Sequence, residues 1–121
     1  MILNIVSVFI GGGIGSVLRY LMGGFYSRHL SFSFPCATFA VNILSCFIIG
    51  LAVSYFMSKT EYSPAVKLAI TVGFCGGLST FSTFSVETID LLQNGQYFVS
   101  FLYISLTVIA CLAATFIGLR I

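Results

Sequence analysis

The chain has 121 residues, 59% of them hydrophobic and 7% charged, with a mean hydropathy of +1.12. A soluble domain carries about 25% charged residues, so this chain cannot cover its surface with water-facing groups and reads as an integral membrane protein. Five basic and three acidic side chains leave a formal net charge of +2, too thin for the clustered basic surface that nucleic acid requires, and the length allows one domain, residues 1–121.

Four apolar stretches follow in chain order, at about 2–26, 34–57, 65–92 and 97–119, each near the roughly 20 residues that a spanning helix needs. The first is too long for a signal-peptide core and lacks a small-residue cleavage site, so it reads as a retained span. Its Gly11 and Gly15 form a small-xxx-small pair, which lets another backbone approach closely. Arg19, about two turns from the end of this span, either snorkels to the interface or faces an aqueous vestibule. The second span sets Thr38, Asn42 and Cys46 on one helical stripe with Ser45 beside them. An asparagine in hydrocarbon must find a partner, so Asn42 faces another helix or a wet cavity.

The third span is interrupted. Gly73 to Phe84 reads Gly-Phe-Cys-Gly-Gly-Leu-Ser-Thr-Phe-Ser-Thr-Phe, and glycines with hydroxyls at membrane depth need protein or water-borne partners for freed backbone groups. The apolar pieces on either side are each too short to cross. The expectation is one broken helix, interrupted near 75–80, whose half-helix ends meet near the midplane, where transport proteins hold ions. Pro64 suits the first turn of this span, and Asn94-Gly95 is a turn signal after it. The fourth span repeats a polar stripe, Tyr103, Thr107, Cys111 and Thr115 at four-residue steps. Two polar stripes facing each other suggest a narrow track.

Tyr20, Tyr26, Tyr55, Tyr62 and Tyr97 lie near span ends, suited to the headgroup belt. Lys59, Lys67 and Arg120 fall on one face of the membrane, and Arg19 and Arg28 on the other. So small a bias permits insertion in both orientations and makes an antiparallel homodimer plausible. Cys36, Cys46, Cys75 and Cys111 form no Cys-x-x-Cys pair and read as small packing residues, without disulfide or zinc chemistry. No nucleophile–base pair is discernible, so an enzyme is not expected.

The stripes hold amide and hydroxyl donors and no carboxylate or lysine. Such donors suit an anion, because hydrogen bonds strengthen when the acceptor is charged. Glu87 is the one acid within reach of the interrupted span. Phe81 and Phe84, three apart, line one side just after the interruption, and an aromatic ring edge is electropositive. Edge-on rings offer a weak resting place for a small hard anion, which must also be able to leave.

Together these residues resemble the Fluc (CrcB) family of fluoride channels. The first-helix glycines followed by Arg19-Tyr20, the run Thr38-Phe39-Ala40-Val41-Asn42 leading to Phe47 and Gly50, and above all Gly73 to Phe84 carry the resemblance. Ser79 stands where the family usually has threonine, Ala37 and Ser45 where glycine is common, and Thr107 and Cys111 on a stripe often made of serines. The resemblance implies an all-α membrane protein of four transmembrane helices with a broken third, assembled as an antiparallel, dual-topology homodimer with two fluoride pores. It implies pore phenylalanines at Phe81 and Phe84 and a pore amide at Asn42. Hydroxyls come from Thr80, Ser82, Thr83, Tyr103 and Thr107, with Glu87 and Arg19 near the vestibule. A structural sodium ion at the dimer centre would be held by the backbone carbonyls of Gly76 and Ser79.

The expected function is passive, fluoride-selective permeation that lets cytoplasmic fluoride leave through the cell inner membrane. One rival is a small dual-topology multidrug transporter, which relies on a membrane-embedded glutamate in its first helix; the first span here has no acid. The other is a non-transporting membrane scaffold, for which the purified protein would pass no ion.

Overall fold

The structure, a computed structural model, describes residues 1–29 and 33–121. Helix α1 spans Ile2–His29 and α2 spans Cys36–Met57. A third stretch comprises α3 (Pro64–Leu68), a π-helical segment (Ala69–Cys75), α4 (Gly76–Leu78) and α5 (Phe81–Gln93), and α6 spans Tyr97–Arg120. The described residues contain no strand. Four helical stretches, counting Pro64–Gln93 as one, are long and apolar enough to cross a membrane. The protein is a multi-pass membrane protein, and the large apolar side chains that face outward from α1 and α6 are placed to meet lipid.

Local chemistry sets the helix ends. Composition puts the end of the first span at Tyr26, yet α1 continues through His29. There the Ser27 hydroxyl donates to the Gly24 carbonyl at 3.0 Å and His29 Nδ1 bonds the Phe25 carbonyl at 2.9 Å. Both polar side chains are thus satisfied by carbonyls of the helix's own preceding turn, which lets them sit within it. Ser63 caps α3 by accepting the Val66 N–H, with Pro64 at the first helical position. After α5 the chain reverses at Gly95, whose φ of +76° glycine adopts without steric cost, and the Gln96 N–H returns to the Leu91 carbonyl at 2.9 Å. Between α2 and α3 the Tyr55 and Tyr62 hydroxyls pair at 2.8 Å, and Lys59 Nζ donates to Tyr55 at 3.1 Å. That hydrogen bond holds the exposed Lys59 ammonium above its ordinary pKa.

The spans pack through two glycine contacts. Along α1 and the third stretch, a Cβ at Gly11 would run into the Ala69 carbonyl and one at Gly15 into that of Phe74. A Cβ at Gly73 would sit 2.7 Å from the Val8 oxygen. Backbone therefore lies on backbone, as the small-xxx-small pair requires. Between α2 and α6, a Cβ at Gly50 would sit 2.5 Å from the Thr115 oxygen, and one at Gly118 would sit 2.5 Å from the Phe47 oxygen. A smaller aromatic cluster, Phe84, Leu91 and Tyr103 with Phe34 and Phe39 against it, joins α5 to α6.

Candidate functional site

The site is organised by two residues that are not helical. Ser79 (φ −78°, ψ 156°) and Thr80 (φ −151°, ψ 116°) stand extended between α4 and α5. Extended residues inside an apolar span free backbone donors and acceptors that must be satisfied. Asn42 on α2 does this directly: its Oδ1 accepts the Thr80 N–H at 2.7 Å and its Nδ2 donates to the Thr80 carbonyl at 3.2 Å. Because a backbone N–H can only donate, this pair fixes the orientation of the amide. One Nδ2 proton remains for another acceptor.

The hydroxyls near Thr80 divide between holding this geometry and facing open space. Thr80 Oγ1 accepts the Thr83 N–H at 3.1 Å, capping α5, and contacts Ser82 Oγ at 3.2 Å and Thr83 Oγ1 at 3.1 Å. The hydroxyls of Ser45 and Ser79 both donate to the Cys75 carbonyl, at 2.8 and 2.9 Å.

Diverting these N–H groups also releases carbonyls. In a continuous α-helix the Thr80 N–H would serve Gly76 and the Thr83 N–H would serve Ser79. Here they serve Asn42 and the Thr80 hydroxyl instead. Of the two carbonyls between them in the chain, that of Gly77 accepts Arg19 Nε at 3.0 Å. The Gly76 and Ser79 carbonyls are neutral oxygen donors of the kind a hard monovalent cation takes, with the Arg19 guanidinium on the Gly77 carbonyl next to them. Gly76 has open space where a Cβ would be.

Arg19 lines a cavity of about 570 Å³ together with Ser16, Thr38, Thr80, Thr83 and Glu87. Glu87 is held on both oxygens: Thr38 Oγ1 donates to Oε1 and the Tyr103 hydroxyl to Oε2, each at 2.7 Å. The sequence places Thr38 on the α2 stripe and in the run that leads to Asn42, but its carboxylate partner lies on another helix, where no spacing rule reaches. Ser45, beside the α2 stripe in sequence, donates to the Cys75 carbonyl rather than lining either cavity.

On the other side of Thr80 a groove of about 330 Å³ runs between α2, α5 and α6. It brings together Asn42, Thr80, Phe81, Phe84, Thr107 and Cys111. Asn42 and Cys46 of one stripe thus meet Thr107 and Cys111 of the other in one space, while Thr38 and Tyr103 turn to Glu87 and Thr115 bonds the Cys111 carbonyl. Thr107 Oγ1 is buried and has no hydrogen-bond partner. The two phenylalanines differ in depth. Phe84 is buried against Tyr103 at 5.0 Å, whereas Phe81 is 79% exposed on this chain, its ring 5.5 Å from that of Phe84 and tilted by 38°.

The family model described as CrcB-like protein, Camphor Resistance (CrcB), matches residues 6–119. A Flavobacterium psychrophilum protein named fluoride-specific ion channel FluC is 46% identical over 118 residues, covering 98% of this chain and 95% of that protein. A protein of the same name from Gloeothece citriformis is 44% identical over 117 residues, covering 97% and 94%. Another from Serratia proteamaculans is 50% identical over 97 residues, covering 80% and 76%. With the match running through all four spans, the chain belongs to the CrcB family.

Proposed function

We propose that this protein is a fluoride channel, not an enzyme, and that it lets cytoplasmic fluoride leave the cell by passive permeation. The observation that carries this reading is the groove beside Thr80, where Asn42 keeps an unused N–H and Thr107 an unpartnered buried hydroxyl. A buried donor without a partner costs about 1–3 kcal/mol, so a passing anion that accepts from it recovers that cost. No carboxylate lines this groove, which removes the repulsion that would bar an anion. The names borne by similar proteins support fluoride as that anion.

In the fuller reading, the extended pair Ser79–Thr80 is a functional interruption near the bilayer midplane. Two copies associate antiparallel, giving a dual-topology homodimer with two pores. In this assembly Phe81, bare on one chain beside the groove, would complete the groove wall with the second chain. Asn42 and Thr107 donate to fluoride, Phe81 and Phe84 line the dry section, and Thr80, Ser82 and Thr83 shape its mouth. Tyr103 holds Glu87 at the vestibule, where the free guanidinium N–H groups of Arg19 attract anions. The carbonyls of Gly76 and Ser79, repeated in the partner, would hold a structural sodium ion. That ion would add fixed positive charge to that of the Arg19 guanidinium, which donates to the Gly77 carbonyl beside it.

Fluoride-electrode efflux from liposomes tests the proposal. The wild-type protein passes fluoride without a second protein. Asn42→Asp and Phe81→Ile abolish the flux while the protein remains monodisperse. A purified protein that passes no fluoride supports the scaffold reading, and undiminished flux in both variants removes these residues from the path.

A further inference from the structure

We propose that Cys46 and Cys111 form a two-thiol site for a soft divalent metal cation in the groove between α2 and α6. Both residues line that groove beside Asn42, Phe81 and Thr107, and both are half-buried free thiols. Cys46 comes from α2 and Cys111 from α6, so the two thiols reach the groove from its two facing walls. Their placement is rigid. The second and fourth spans run in the same direction, and the Gly50–Thr115 backbone approach one turn further on fixes their register. Stepping back four residues on each helix brings Cys46 to Cys111, and four more brings Asn42 to Thr107.

The donor set selects the ligand. Among the described residues no group of three His, Cys, Asp or Glu could hold a metal, so the four-coordinate site that zinc prefers cannot form. Two sulfurs suit a soft ion content with two ligands. A divalent ion such as mercury(II) displaces one proton from each thiol, forming two metal–sulfur bonds and releasing two protons. The product, S–Hg–S, carries no net charge. Neutrality matters at this depth, where a charged group is expensive. Cys75 is buried and does not line the groove, and Cys36 opens α2, so each thiol serves as an internal control.

Metal binding here stands apart from the channel reading. Block by the bound metal rests on it, because a bridge between α2 and α6 narrows the groove only if fluoride passes there. The test uses the full chain in liposomes, mercury(II) chloride as probe, and a wash with free cysteine to strip singly held metal. Two thiols on one scaffold compete at millimolar effective concentration or above. The wild type, Cys36→Ala and Cys75→Ala therefore retain mercury at least about tenfold better than Cys46→Ala or Cys111→Ala. Equal retention by either of the latter two variants overturns the site, as does loss in Cys75→Ala. Fluoride efflux in the same vesicles, normalised to each variant's metal-free rate, slows with mercury only where metal is retained. Retention without slowing leaves the metal site standing and shows that fluoride does not use this groove.

Discussion

The contact between α1 and the third stretch and the groove between α2 and α6 use the same kind of small residues to opposite ends. Along α1 the carbonyls of Ala69 and Phe74 lie where glycine side chains are missing, and no room for an ion remains. At the groove, Asn42 clamps the extended Thr80 while Thr107 keeps a hydroxyl with no partner. One region spends Gly11, Gly15, Gly73 and Gly77 on closeness. The other leaves donors unspent, and unspent donors are what an anion can use.

Substituting the first region gives the largest effect. Gly15→Val drives a side chain into the Phe74 carbonyl and the Leu78 N–H, atoms of backbone that cannot swing aside. The cost reaches about 3 kcal/mol or more, and size-exclusion chromatography shows aggregated protein. Gly13, with open space around it, provides the contrast: Gly13→Ala keeps a monodisperse peak and does not lower the thermal midpoint.

Next in size is Asn42→Ala. It strands the Thr80 N–H and carbonyl together, at about 1–3 kcal/mol for each group. Thermal unfolding in detergent registers that loss, and an unchanged midpoint shows that the extended pair does not depend on the amide. Tyr103→Phe removes one of the two hydroxyls on Glu87 and costs about 1–3 kcal/mol by the same measurement. An unaltered midpoint means that Thr38 alone suffices.

How much of this could be read from the residues varies by feature. The four spans were legible, because membrane thickness sets their length and composition marks them plainly. So was the close approach at Gly11 and Gly15, since only small residues allow it. The α1 end is not legible, because Ser27 and His29 look like loop residues yet bond the helix's own carbonyls. The π-helical winding of Ala69–Cys75 left no signal, since that segment's apolar residues suit any helical pitch. The different depths of Phe81 and Phe84 were also hidden. Spacing places both on one side, but Tyr103 and Phe34, distant in sequence, decide which ring is covered. The bonds of Glu87 to Thr38 and Tyr103 cross three helices and are a tertiary fact.

Thr107→Val changes folding stability least and separates the two uses of small residues most sharply. Valine keeps the shape and removes a hydroxyl that bonds nothing in the protein, so stability holds or rises by about 1 kcal/mol. Fluoride efflux from liposomes, measured on Thr107→Val protein with an unchanged thermal midpoint, is the most direct test that unspent donors carry the ion. The account predicts efflux at least about tenfold slower than wild type, the kinetic equivalent of about 1.4 kcal/mol lost from the path. Wild-type efflux from an equally stable Thr107→Val channel would contradict it.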